Sequence, residues 1–253
     1  MEMKLIILVV SMLFFDLADG QISMIVKELP TEKHKKYIPN NDPTTYYELS
    51  RHPGHVLEVK IRNDSDKSIS FPLDTISYAM PFTENVKEYY NGRQNITPSP
   101  DLFNALGIYG FVYQNGIFKN YDLATAPFYE EKQLMEIAKT KKLRQESIDQ
   151  WNSSKKINDE LIANYNWYIM NHMVTILPGQ SYKYKFYFNP YVKKIDEYGY
   201  EQYYFQLDEK KPYDVIFKLI LPKKMYNFLT KEDKMKYPNL FVGVIASAAL
   251  ELK

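Results

Sequence analysis

The stretch over 174–188, VTILPGQSYKYKFYF, restricts the fold more than any other part of the chain. After Pro178-Gly179, Tyr182, Tyr184, Phe186 and Phe188 fall in one phase of a period of two, and Lys183 and Lys185 fall in the other. Successive side chains of a strand point to opposite faces, so this pattern describes a strand with one face buried. The same period runs through 55–73. Leu57, Val59 and Ile61 alternate with Glu58, Lys60 and Arg62, and Ile69, Phe71 and Leu73 resume after the polar residues 63–67. That reads as two half-buried strands joined by a short turn. Residues 22–28 alternate and stop at Pro30, as an edge strand does. Asn115-Gly116, set between 111–113 and 117–121, supplies two residues that tolerate positive φ, the requirement of a type I′ hairpin. Further strands are expected at 172–177, about 200–207, 213–221 and 240–252. The last is long enough to need a bulge or bend near Ala246-Ser247.

One region breaks this pattern. Over 128–170 glycine and proline vanish, and Ile157, Leu161, Tyr165 and Ile169 recur every four residues. That spacing is one face of a helix, with Ser153 or Ser154 as a candidate cap. A helical insertion of two helices, or one broken helix, is expected there. A short helix or ordered loop is expected between the last two strands.

Proline fixes φ near −65°, so Pro178 cannot open a tight two-residue hairpin. Pro178-Gly179 suits a type II turn, with glycine where φ is positive. Such a turn splays strands and fits a crossing from one sheet to another. Together, Ile176-Leu177-Pro178-Gly179-Gln180-Ser181-Tyr182 resembles the tyrosine corner of fibronectin type III and other immunoglobulin-like sandwiches. The resemblance covers about seven residues. It implies a mainly β, immunoglobulin-like β-sandwich with a helical insertion at about 128–170, with Pro178, Gly179 and Tyr182 as structural residues. It also implies that the Tyr182 hydroxyl bonds back to upstream backbone. The chain departs from a plain domain of that type in its length, in the insertion before the corner and in lacking cysteine. A looser likeness is to small bacterial sandwich domains that include proteinase inhibitors, which pair an Asn-containing hairpin with a Pro-Gly corner.

The N-terminus reads MEMKLIILVVSMLFFDLADGQ. Lys4, an apolar run over 5–15 and small residues at Ala18 and Gly20 form the layout of a secretory signal peptide over 1–20, with cleavage expected after Gly20. The run is shorter than the roughly 20 apolar residues of a membrane span, so no transmembrane anchor is expected after cleavage. Secretion or export to the periplasm follows. The chain has no cysteine, which closes both a disulfide framework and a lipid anchor at a leader cysteine. Residues 21–253 must be held by their core as one elaborated β-sandwich domain. The formal net charge of the whole chain is +1, and losing Lys4 with Glu2, Asp16 and Asp19 leaves 31 basic and 28 acidic residues, a net charge of +3. That balance argues against nucleic acid as a partner. The 23 tyrosines read first as codon bias, since Lys, Asn and Ile are abundant with them; they also suit strands, and the lesser reading is a contact surface.

No catalytic motif stands out: G-x-S-x-G, H-E-x-x-H, a Walker loop and a dinucleotide fingerprint are all missing from the sequence. His52-Pro-Gly-His55 is the best metal candidate, with His172 as a possible third ligand, but two imidazoles do not make a site. No cofactor or metal is therefore expected. Asp64-x-Asp66 lacks the glycine and the closing glutamate of a calcium loop and reads as a turn. Trp151 and Trp167 suit core aromatics of the insertion better than a sugar platform. Lys139, Lys141, Lys142 and Arg144 read as a solvated helix face. Asn63, Asn95 and Asn152 lie in N-x-Ser/Thr triplets, which are common by chance. The expected function is that of an exported, non-enzymatic β-sandwich protein that binds a protein or a cell-surface glycan. The alternative is a periplasmic inhibitor or immunity protein that blocks one specific enzyme.

Overall fold

The computed structural model describes residues 22–38, 54–76, 78–91, 106–125, 131–191, 194–195, 201–208 and 210–252. Residues 1–20, for which a signal peptide is expected, lie outside the described residues, as do His52 and Asn95. The chain is mainly β, with several antiparallel sheets.

The first sheet holds β1 (Ile22–Leu29), β2 (His55–Asn63) and β9 (Ser181–Phe188), all antiparallel, with β1 at an edge. The apolar phase of each strand turns inward: Met24, Leu57, Val59, Ile61, Phe186 and Phe188 are buried. They share a core with the second sheet, built from β5 (Ile108–Gln114), β12 (Tyr213–Leu221) and β13 (Gly243–Ala246), with the short β4 (Tyr78–Ala79) parallel to β5. Phe217 of β12 meets Phe186 and Phe188 edge-on, with ring centroids 5.7 and 5.2 Å apart, a geometry aromatic quadrupoles favour. Gly110 of β5 makes this approach possible, because a Cβ there would lie 3.0 Å from the Phe188 ring. The opposite face of β5 and β12 carries a second cluster, where Tyr109, Phe111 and Ile220 are covered by Tyr89 of α1 (Val86–Asn91).

The hairpin from β5 into β6 (Ile117–Phe118) turns at Asn115 and Gly116, whose φ values are 55° and 73°. Both are positive, as the Asn-Gly pair requires. In a three-stranded sheet the central β11 (Glu201–Phe205) pairs with β7 (Tyr121–Thr125) on one side and β10 (Lys194–Ile195) on the other.

The strand after the 63–67 turn needs a correction. β3 (Ile69–Pro72) does not pair with β2; it pairs with β8 (Met173–Ile176) in a sheet of its own, and all four of its residues are buried. The two-stranded ribbon of β2 and β9 thus continues as β3 and β8 beyond a double corner, with 64–68 on one side and 177–180 on the other. Pro178-Gly179 sits where β8 leaves one sheet and β9 enters the next.

The region at 128–170 holds two helices, α2 (Glu131–Lys155) and α3 (Glu160–Asn171). Their details differ from the expected stripe. Asp159 caps α3 by accepting from the Ile162 amide, whereas Ser153 and Ser154 lie inside α2 and bond back to the carbonyls of Asp149 and Trp151. Because α3 begins only at Glu160, Ile157 precedes it and Leu161 faces water, while Tyr165, Tyr168 and Ile169 enter the core. The segment after β12 forms a 3-10 helix, Lys223–Phe228, and α4 (Lys231–Lys236). The final strand is broken as the length argument required: β13 and β14 (Leu250–Leu252) both pair with β12, and three residues, 247–249, oppose two. Ser247 repairs the ladder, its amide donating to the Phe217 carbonyl and its hydroxyl accepting from the Phe217 amide. The extra residue flips the phase, so Ile245 and Leu252 are the buried ones.

Candidate binding face

Of the expected structural residues, Gly179 has φ of 70°, and the Gln180 amide bonds the Leu177 carbonyl at 3.0 Å, the closure of a type II turn with Pro178 in its second position. Tyr182 is half-buried opposite Ile61, and no hydrogen bond of its hydroxyl is present among the described residues. Asn63 ties the double corner instead. Its amide donates to Gln180 and its carbonyl accepts from Gly179. Its fully buried side chain donates to the carbonyls of Lys67 (2.7 Å) and Ile176 (2.9 Å) and accepts from the amide and hydroxyl of Ser65. Asn63 is therefore a structural hub, with no free side-chain nitrogen for a glycan. Asp64 and Asp66 are turn residues beside it; Asp64 accepts from Arg62 (2.6 Å) and from Ser23.

Of the metal candidates, the two described histidines, His55 and His172, belong to separate networks. His55 is buried between Glu28, 2.7 Å from its Nδ1, and the Tyr213 hydroxyl, 2.9 Å from its Nε2. A neutral ring that donates from Nδ1 to the Glu28 carboxylate accepts at Nε2 from the phenol. Carboxylate, imidazole and hydroxyl form a line like that of a nucleophilic site. Its far end, however, is a Tyr213 that is 2% exposed and packed against Tyr191. Burial drives the Tyr213 hydroxyl far above its ordinary range. The line ties β1, β2 and β12 together. His172 belongs to another network: its Nδ1–H donates to the Tyr168 carbonyl, its Nε2 lies 3.8 Å from Asp74, and the Tyr168 hydroxyl donates to the same carboxylate.

A third network anchors the helices. Asp233, 1% exposed, accepts from Asn166 (2.8 Å), Lys155 (3.0 Å) and the Thr230 amide (3.0 Å). Trp151 donates its indole N–H to Asn166, and Lys155 lies 5.3 Å from the Trp151 ring centre. Trp167 is half-buried against the main core. Both tryptophans therefore serve the docking of the insertion. In the basic run on α2, Lys139 and Lys142 are exposed, and Lys142 lies 4.0 Å from Glu146.

What the sequence did not disclose is the outer face of the first sheet. The register lines up Ser23, Arg62 and Ser181 in one row, Ile25, Lys60 and Lys183 in the next, and Lys27, Glu58 and Lys185 in the third. Five cationic side chains thus share one pleated surface with the carboxylates of Glu58 and, at its corner, Asp64. Lys27 pairs with Glu58 at 3.0 Å, and that bond leads the effects that hold the Glu58 carboxyl below its ordinary value. Arg62 is matched by Asp64. Lys60 and Lys183 stand directly opposite one another with no ion pair among the described residues. Beside them, Lys185 lies 6.0 Å from the ring centre of Tyr37, carried by the 3-10 turn Lys35–Tyr37. Lys183 and Lys185 were legible as a polar phase, but only the pairing of three distant strands gathers the charges. Among the described residues no helix is long and apolar enough to cross a membrane. Comparison with protein families, with curated proteins and with solved structures finds no match.

Proposed function

We propose that the chain is an exported, non-enzymatic β-sandwich protein of immunoglobulin-like build that acts by binding a protein or cell-surface glycan through the outer face of β1, β2 and β9. The observation that carries this reading is the cross-strand pair of Lys60 and Lys183. Like charges directly opposite in a sheet destabilise it, and this pair stands on the outer face with no ion pair among the described residues, which supports a role in contact with an anionic partner. The non-enzymatic part rests on the buried polar groups. His55, Asp74 and Asp233 each tie separate elements of the fold together, which is scaffold work. The N-terminal signal layout supports export.

The test is retention on intact cells of the source. Labelled wild-type protein should stay on the surface after washing, and a variant with Lys60→Glu and Lys183→Glu should wash off. Equal retention of both proteins, or of neither, rejects this face as the binding surface.

A further inference from the structure

The outer face of the first sheet also constrains what kind of partner fits, and this inference rests on the reading just given. We propose that the face binds a linear polyanion, an acidic polysaccharide whose repeating carboxylate or sulfate groups lie along the rows of Lys60, Lys183 and Lys185. Three features select that chemistry.

The first is the kind of cation. Four of the five are lysines, compact charges on flexible stems. They suit a diffuse row of anions rather than the planar, bidentate match that arginine gives. The one arginine, Arg62, is already engaged by Asp64 at 2.6 Å.

The second is what the face lacks as a protein interface. Such interfaces bury an aromatic or aliphatic centre and are poor in lysine, glutamate and serine. The three rows present mostly those types, with Ile25, 57% exposed, on the edge strand rather than at the centre. The next row of the same phase, Leu29, Val56 and Tyr187, bounds them, and its Val56 is fully buried.

The third is geometry. Side chains two apart on a strand are about 6.8 Å apart, and neighbouring strands are about 4.8 Å apart. Lys60, Lys183 and Lys185 are therefore close neighbours on a flat surface, with the one carboxylate among them, Glu58, already paired with Lys27 at 3.0 Å, and an extended anionic chain can cross them without entering a pocket. Single-stranded nucleic acid, the other common polyanion, is held by aromatic side chains on which bases stack. The three rows carry no aromatic side chain; the nearby aromatics are Tyr37, 6.0 Å from the Lys185 Nζ, and Tyr187 in the next row.

The wild-type full chain would be titrated with dextran sulfate, polygalacturonate, neutral dextran, polyglutamate and oligo-deoxythymidine at 50 mM salt. Binding is expected to one or both acidic polysaccharides, and the stronger of the two identifies the anion as sulfate or carboxylate. Neutral dextran should not bind, and polyglutamate and the oligonucleotide should bind at least tenfold more weakly. With three lysine charges neutralised, counterion release predicts an affinity loss of about twentyfold between 50 and 200 mM salt.

Lys60→Glu with Lys183→Glu should cost at least tenfold in affinity. Lys139→Glu with Lys142→Glu, the same charge change on α2, should stay within about twofold. Lys60→Glu alone separates binding from folding. It puts opposite charges across the strands, so the urea midpoint should rise while affinity falls. Absence of binding to both polysaccharides overturns the inference, as does equal loss from the α2 variant. Tighter binding to polyglutamate or to the oligonucleotide overturns it in favour of a protein or a nucleic acid. If the polysaccharides fail while wild-type protein is still retained on cells and the variant is not, this inference falls and the broader binding reading stands.

Discussion

Replacing Asn63 by alanine tests how the double corner is held. The Asn63 side chain makes four hydrogen bonds: to the Lys67 and Ile176 carbonyls, and from the amide and hydroxyl of Ser65. It is 0% exposed, so the carbonyl of Ile176 loses its partner inside the corner rather than at the surface. A typical intramolecular hydrogen bond contributes about 1 kcal/mol net, and a buried group left short costs about 1–3 kcal/mol. Ser65 is half-exposed and recovers much of its loss from water. The expected destabilisation is therefore about 2–4 kcal/mol. Tyr182→Phe is the matched control. The tyrosine-corner resemblance implies a lost hydroxyl bond and a cost of about 1–3 kcal/mol. The structure gives that hydroxyl no partner among the described residues, so a cost under about 0.5 kcal/mol is expected. Urea unfolding of both variants, with slopes compared to confirm the same exposed surface, decides the matter. Near-wild-type stability for Asn63→Ala together with a loss above about 1.5 kcal/mol for Tyr182→Phe would refute the Asn63 hub and restore the tyrosine tie.

Other expectations follow from the same contacts. Gly54 and Gly179 have φ of 65° and 70°, but only a Cβ at Gly54 would collide, 2.5 Å from the Tyr187 hydroxyl oxygen. Gly179→Ala should cost about 1 kcal/mol from backbone strain alone, and Gly54→Ala about 3 kcal/mol or more by thermal or urea melting. Burial would by itself raise the Asp233 carboxyl, but hydrogen bonds from Asn166, Thr230 and Lys155 hold it below its ordinary value of 3.8. A carboxyl lowered on folding contributes stability that is present above its unfolded pKa and lost as pH falls through the folded one. Asp233→Asn should therefore flatten the loss of stability below about pH 4 relative to wild type; an unchanged acid limb would contradict this. Mass spectrometry of protein recovered outside the cell should find Gln21 at the N-terminus, and intact Met1 there would oppose export with cleavage.

Elements with local signals were readable. Alternation found β1, β2 and β9 because over most of each strand one phase is more buried than the other, and Asn115-Gly116 announced its hairpin through the φ values it permits. The partner of β3 was not readable, since its alternation is the same whether it pairs with β2 or with β8. The choice is made by Asn63, whose main chain is taken by Gly179 and Gln180, more than a hundred positions away in sequence. The cap of α3 was misplaced because serines inside a helix can bond back to carbonyls of the preceding turn, leaving Asp159 as the true start. The bulge at Ser247 was legible from length, but the phase reversal it causes at Ile245 and Leu252 depends on which residue is extra. The basic face was hidden for the same reason as β3. Lys27, Lys60 and Lys183 are unremarkable strand lysines until the register sets them on one surface.

The most direct test of that surface is lysine footprinting of the protein while it is bound to the cell surface. Reductive methylation followed by mass spectrometry reads each lysine separately. Lys60, Lys183 and Lys185 should be protected in the bound protein relative to the free one, while Lys139 and Lys142 on α2 and Lys223 and Lys224 after β12 should react equally in both. Protection confined to α2, or unchanged reactivity at Lys60 and Lys183 in protein that is demonstrably bound, would contradict the assignment of the binding face.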